Sequence, residues 1–241
     1  GDIPRKVREM SGRERLCRNW DASGKNIVFL GPSGSGKSEI ALNLAIRAAG
    51  EGGMPVHFFD MDQRKPLFRS RWVRDAVERS GAVFHSGLEF LDSPVLPDGV
   101  AECLRNENIR CVLDMGGSAN GARSLGQCVS GEDRKTRALY VVNMYRPFSD
   151  EESFLEDLSA ITAAARLPFP CIVSNPNLGE NTSMADVKEG HARLMEILER
   201  NGLPLAFLAV RNPLLEAALE WADCHVEGLD LRLGAGRGPL K

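Results

Sequence analysis

A nine-residue stretch, GPSGSGKSE at positions 31–39, constrains the fold of this chain more than any other feature of its sequence. It follows the apolar run 26–30 and leads into the amphipathic stretch SEIALNLAIRAA, so we expect a strand, a glycine-rich loop and a helix in that order. In the pattern GxxxxGK followed by Ser or Thr, the N–H groups of the loop surround a phosphate at a helix N-terminus. The residues predicted to bind phosphate are Gly31, Ser33, Gly34, Ser35, Gly36, Lys37, Ser38 and Glu39.

Two side chains of this loop predict the chemistry of its ligand. Lys37 is placed to reach the β- and γ-phosphate oxygens, and the Ser38 hydroxyl is placed to ligate Mg²⁺. The sequence therefore predicts a nucleoside triphosphate and Mg²⁺ as cofactors.

Short apolar runs alternate with helix-length amphipathic stretches along the rest of the chain, which indicates an α/β fold. We predict three layers, with a mostly parallel sheet flanked by helices. The predicted strands are 26–30, 55–60, 109–113, 138–143, 170–174 and 205–210, and a further strand within 82–97 is less definite. The predicted helices are 37–49, 66–80, 98–106, 150–166, 184–201 and 213–221.

The 241 residues suffice for one large domain. We predict a helical N-terminal extension over 1–24, a nucleotide-binding domain over 25–226, and a flexible C-terminal tail over 227–241. The tail is expected to be loose because four Gly and one Pro leave it little to pack.

Composition limits the partners and the compartment. The formal net charge of −3 gives no global positive field, so nucleic acid is not an expected partner. Spanning a membrane takes about 20 apolar residues, which no stretch approaches, and the N-terminus has no apolar signal core. We therefore expect a cytoplasmic protein. The six cysteines lack any CxxC pair and predict reduced thiols, and the four histidines are too dispersed in sequence to predict a zinc site.

Two further segments place carboxylates after predicted strands. In VHFFDMDQRKPLFRSR, Asp60 and Asp62 follow an apolar run about 25 residues after Lys37, at the edge where parallel strands face a ligand. Such carboxylates could support metal-bound water and orient a nucleophile, or could simply begin a helix. In IRCVLDMGGS, Asp114 and Gly117 form DxxG, in which the Asp holds the Mg²⁺ hydration shell and the Gly amide senses a γ-phosphate.

With these three elements in order, the chain resembles the class of P-loop NTPases that contains chromosome-partitioning and cell-division-site ATPases, nitrogenase iron protein and metal-insertion ATPases and GTPases. The resemblance spans about residues 25–215. It implies that Asp62 is the hydrolytic residue, that Asp60 supports the metal site with Ser38 and Asp114, and that Gly117 belongs to the second switch. It also nominates Asn175, at the end of a later strand, as a contact to the base.

The chain departs from this class at two places. Many members carry a signature lysine early in the loop, where this chain has Pro32, so the expected charge across a dimer is missing. GTPases of the class read guanine with an acid, which 174–178 (SNPNL) does not offer, so ATP is the expected nucleotide. By resemblance we expect an ATPase switch that forms a nucleotide-dependent homodimer and acts on a protein client, with metalloenzyme maturation or activation as the leading pathway.

Two other functions fit parts of the sequence. The loop, the DxD strand and the arginines at 64, 69 and 71 also resemble adenylylsulfate kinases, in which such residues handle an anionic acceptor. The same arginines, with Arg74, also fit a solvated helix face. The third possibility is a nucleotide-binding module with little turnover.

Overall fold

The computed structural model describes residues 25–61, 67–86, 98–117, 119–128, 135–146, 150–166 and 170–233. The predicted N-terminal extension, 1–24, lies outside the described residues. So does Asp62, the predicted hydrolytic residue. Within helix 67–79, nothing is described of the first four side chains, which include Arg69.

One parallel sheet of eight strands forms the centre of the described structure, in the order β3-β2-β4-β1-β5-β6-β7-β8. The strands are β1 Asn26–Leu30, β2 Val56–Met61, β3 Val83–Ser86, β4 Arg110–Met115, β5 Thr136–Val142, β6 Cys171–Ser174, β7 Leu205–Arg211 and β8 Val226–Leu229. The helices are α1 Lys37–Gly50, α2 Leu67–Arg79, α3 Asp98–Arg105, α4 Ala119–Cys128, α5 Glu151–Ala165, α6 Met184–Asn201 and α7 Leu215–Trp221, and a 3₁₀ turn spans Asn212–Leu214.

Helices cover both faces of the sheet, and β1 shows why. All five of its residues are buried, because successive side chains of a strand point to opposite faces. Ile27 and Phe29 pack in the core beneath α1 and α2. Val28 and Leu30 pack in the core beneath α3, α4, α5 and α6. The predicted three-layer α/β fold is confirmed, with every described strand pair parallel.

The C-terminal boundary predicted from sequence is too early. Residues 226–229 form β8, which pairs with β7, and Glu227 within it is buried. Beyond β8, the backbone of Asp230 is held by the Asn43 side chain of α1. The chain therefore belongs to the domain as far as residue 233, and the remainder of the predicted tail lies outside the described residues.

The structure also bears on the predicted state of the cysteines and on the expected lack of a membrane span. Cys103, Cys111 and Cys224 carry free thiols, but Cys171 is disulfide-bonded, so the expectation of six reduced cysteines is wrong for that residue. Among the described helices, none has the length and apolar character needed to cross a membrane.

Candidate functional site

The glycine-rich loop joins β1 to α1, and two of its glycines lie too close to neighbouring segments of the chain for any larger residue. Gly31 has φ 129°, and a Cβ there would lie 2.7 Å from the Val141 carbonyl oxygen of the neighbouring strand β5. Gly36 has φ 91°, and a Cβ there would lie 2.1 Å from the Asn175 side-chain nitrogen. Because a left-handed φ strains any residue with a Cβ, and because both sites lack room for one, only glycine fits at these positions. The loop is thus packed directly against the ends of β5 and β6.

Lys37, the first residue of α1, is buried beside a carboxylate. Its side-chain nitrogen lies 3.5 Å from Asp114 Oδ1, and the two side chains are 4% and 0% exposed. The pairing follows from the sheet, since β4 lies beside β1 and Asp114 is in register with Phe29. A buried ammonium requires such a counter-charge because its desolvation is costly. The structure therefore joins the lysine of the loop to the aspartate of DxxG.

Asp60 and Asp114 occupy matching positions on neighbouring strands. They are in register on β2 and β4, and both are buried. Carboxylate and hydroxyl oxygens are donors that Mg²⁺ accepts, usually with several waters retained. With Ser38 in the first turn of α1, these residues present the donor types of a magnesium site at the carboxyl edge of the sheet. Asp62 would follow directly after β2 but lies outside the described residues.

Gly117 lies against the glycine-rich loop. A Cβ at this position would lie 2.7 Å from the Ser33 nitrogen and 2.9 Å from the Gly31 carbonyl oxygen. Both of these neighbours are backbone atoms, which cannot move aside without moving the loop. The DxxG segment thus contacts the glycine-rich loop at two places: Asp114 pairs with Lys37, and Gly117 packs against the loop backbone.

Asn175 supports the loop from the end of β6. Its side-chain nitrogen donates to the Ser35 carbonyl oxygen at 2.7 Å, and the residue is 2% exposed. Its backbone N–H donates to the Val142 carbonyl at 2.8 Å, which fixes the residue relative to β5. The contact to a nucleotide base remains a prediction, and the structure gives Asn175 a role in holding the loop.

Sequence reasoning missed a polar network behind Asn175. Asn143 donates to the Asn177 carbonyl at 2.7 Å and accepts from the Tyr145 N–H at 3.0 Å. Tyr145 in turn donates to the Asp186 carbonyl at 2.7 Å. The sequence feature that could have predicted this network is the position of its residues at strand ends, because Asn143 directly follows β5 and residues 175–183 directly follow β6. The network braces the two loops that flank the phosphate-binding loop.

The arginine side chains of α2 that the structure describes lie on the solvent-facing side of the helix. Arg71 and Arg74 are exposed, and the Arg74 guanidinium sits 5.1 Å from the centre of the Phe84 ring. This cation–π contact accounts for Arg74 as part of a solvated helix face. Arg64 lies outside the described residues.

Two dispersed histidines meet away from the loop. His57 Nδ1 and His85 Nε2 are 2.9 Å apart on β2 and β3, and the Cys103 sulfur lies 4.0 Å from His57 Nδ1. Burial lowers the pKa of His57. Within the described ranges, no group of three or more His, Cys, Asp or Glu side chains is arranged to hold a metal ion.

No protein-family model and no curated protein matches the chain. A number of solved structures are similar to it, and two of them contain a bound nucleotide. One is the nucleotide-binding protein from Archaeoglobus fulgidus in complex with ADP and with cobalt, at 17% identity, covering 80% of this chain and 84% of that chain with a TM-score of 0.48. The other is FlhF complexed with GTP and Mg²⁺, at 16% identity, covering 76% of this chain and 75% of that chain with a TM-score of 0.44. Neither similarity is close enough to assign a function to this chain.

Proposed function

We propose that this protein is a Mg²⁺-dependent switch that binds and hydrolyses ATP and acts on a protein client. The observation that carries the proposal is the position of DxxG, with Asp114 on Lys37 and Gly117 on the backbone of the loop. A group bound in the loop would touch both ends of this segment. Binding and loss of a γ-phosphate would therefore change the contacts of DxxG, which is the requirement for a switch.

Each site residue has a defined role in this proposal. Lys37 and the loop N–H groups orient the triphosphate, and Asp62 orients the attacking water. Ser38, Asp60 and Asp114 supply oxygen donors that suit Mg²⁺ and its hydration shell. When bound, Mg²⁺ would neutralise charge on the phosphates.

ATP is the proposed nucleotide because residues 174–178 contain no acid that could read guanine. In 174–178, Asn175 donates to Ser35. The side-chain oxygen of Asn177 accepts from the Gly179 N–H at 2.6 Å. A residue that recognises guanine would need a carboxylate facing N1–H and the 2-amino group.

We propose that the protein acts in the cytoplasm as a nucleotide-dependent homodimer, with metalloenzyme maturation as the leading pathway. Pro32 stands where a signature lysine would otherwise reach across the dimer interface.

Steady-state turnover without an acceptor tests the proposal. Purified protein is supplied with Mg²⁺ and either ATP or GTP, and released phosphate is measured over time. We expect sustained release with ATP, loss of release on chelating Mg²⁺, and slower release with GTP. Strict dependence on an added small acceptor would instead support a kinase. Tight binding with no release under either condition would indicate a binding module.

A second prediction concerns Gly117. Replacing it with Ala should reduce the affinity for ATP about tenfold, because the new methyl group must push back backbone atoms of the loop and overpacking typically costs about 1–3 kcal/mol. Isothermal titration with ADP and with a non-hydrolysable ATP analogue measures the effect. Gly99→Ala is the matched control, since Gly99 lies on α3 with nothing within 4 Å of its added Cβ. Unchanged affinity in the Gly117 variant would contradict the proposed contact.

A further inference from the structure

The first turn of α1 carries a carboxylate that binds the chain after β8. Glu39 Oε1 accepts the Arg232 N–H at 2.6 Å, and Glu39 Oε2 accepts the Leu233 N–H at 3.0 Å. We call residues 230–233 the C-terminal strap. The strap is thus held by the residue that directly follows Ser38 in the predicted phosphate-binding motif.

Glu39 belongs to a polar stripe along α1. Glu39, Asn43 and Arg47 are four residues apart, so they lie on one face of the helix. Asn43 exchanges two hydrogen bonds of 2.9 Å with the Asp230 backbone, and Arg47 pairs with Glu227 of β8. Successive turns of α1 therefore bind successive parts of the C-terminal chain. The strap lies at the turn nearest the glycine-rich loop.

Only the backbone N–H of Glu39 can serve the phosphate contact predicted for this residue, because its carboxylate has the same sign of charge as the phosphate. A carboxylate in the first turn is next to the helix end at which anions bind, and like charges at such short range repel. Two N–H donors aimed at a carboxylate make charge-assisted hydrogen bonds, which are stronger than neutral ones. These donors hold the Glu39 oxygens on the strap. Losing these two hydrogen bonds would weaken the restraint that the strap places on the carboxylate.

From these contacts we propose that Glu39 is a positioning residue that couples the C-terminal strap to nucleotide binding. A docked strap holds the Glu39 carboxylate away from the phosphates, so strap docking and nucleotide binding favour each other. This inference rests on the proposed binding of a nucleoside triphosphate in the loop. Because coupling of two binding equilibria is reciprocal, a bound nucleotide must also tighten the strap.

A double-mutant cycle tests the coupling. Leu233→Pro removes the N–H that Glu39 Oε2 accepts, whereas Leu233→Ala shortens the side chain similarly but keeps the N–H. The dissociation constants for ADP with Mg²⁺ are measured for both, in the presence of Glu39 and in a Glu39→Gln background. With Glu39 present, we expect Leu233→Pro to bind about fivefold more weakly than Leu233→Ala. In the Glu39→Gln background, where the Glu39 carboxylate no longer repels phosphate, the two should differ by less than about twofold.

Glu151 provides the matched control for the charge. It lies in the first turn of α5 and contacts Arg200 and Asn201 of α6. In a Glu151→Gln background, the fivefold difference between the two Leu233 variants should persist. An equal difference in the Glu39→Gln background would overturn the coupling.

Hydrogen exchange on the unaltered protein provides an independent measurement if a proline variant fails to fold. We expect the amides of Arg232 and Leu233 to exchange more slowly when ADP and Mg²⁺ are bound. Unchanged exchange at saturating nucleotide would overturn the coupling while leaving the proposed ATPase intact. Absence of nucleotide binding by the unaltered protein would overturn both proposals.

Discussion

Replacing Lys37 with Met should abolish nucleotide binding and destabilise the fold by about 3–5 kcal/mol, because it leaves the Asp114 carboxylate buried without its counter-charge. Both side chains are almost fully buried, so solvent cannot compensate for the lost charge. Urea denaturation measures the free energy of unfolding, and isothermal titration with ADP and Mg²⁺ measures binding. We expect binding to weaken by more than about a hundredfold, since the loop loses its only predicted phosphate-binding cation.

A second substitution at Asp114 separates the loss of stability from the loss of nucleotide binding. In Lys37→Met/Asp114→Asn, both charges of the buried pair are removed, so most of the stability should return while nucleotide binding stays lost. Lys135→Met is the control for removing a lysine, because Lys135 is exposed and pairs with the exposed Glu107. Its unfolding free energy should change little. If Lys37→Met were as stable as Lys135→Met, the buried pair would not contribute as the structure indicates.

The elements that could be predicted from sequence are those with strong local signals. Helix α6 spans Met184–Asn201, the range predicted from its periodicity. Ser183 and Asp186 form a capping box at its start, and Gly202 ends it with φ 62°. Strand β1 was equally well predicted, because an uninterrupted apolar run before a glycine-rich loop has few alternatives.

Two elements were missed because tertiary contacts override their weak local signals. Helix α4 contains Gly121 and Gly126, which disfavour a helix. A Cβ at Gly126 would lie 2.8 Å from the Ala165 carbonyl of α5, so the glycine permits close helix packing. Strand β8 contains Gly228 and the acidic Glu227, whose buried carboxylate contacts Arg47 of α1 and His225. The contacts of Gly126 with α5 and of Glu227 with α1 join residues far apart in the sequence, so short-range sequence patterns cannot predict them.

The site was predictable residue by residue but not as a set of contacts. Lys37, Asp60 and Asp114 follow from motifs and strand ends. The contact of Asn175 with Ser35 joins residues 140 positions apart, and that of Glu39 with Leu233 joins residues 194 apart. Periodicity reports on neighbours within a few turns, so such contacts required the sheet order. The hydrolytic role of Asp62 was predicted from resemblance and stays a prediction.

Replacing Asp62 with Asn should reduce ATP hydrolysis by about a hundredfold or more while ATP affinity stays within about twofold. The proposed carboxylate orients the attacking water, and Asn keeps its size but loses its charge and basicity. Strand β2 ends at Met61 with Asp60 beside Asp114, so the strand that precedes residue 62 in the sequence ends at the carboxyl edge that bears the site. Phosphate release measures hydrolysis, and titration with a non-hydrolysable ATP analogue measures binding.

Asp75→Asn is the matched control, since Asp75 lies on the exposed surface of α2. This substitution should leave both the rate of ATP hydrolysis and the affinity for the ATP analogue unchanged. Equal losses of hydrolysis and binding in Asp62→Asn would indicate that Asp62 holds the nucleotide or its metal, because only a group that acts in the transition state affects turnover alone. Unchanged hydrolysis would remove Asp62 from the mechanism, and Asp60 would then be the remaining carboxylate of the DxD segment able to orient water.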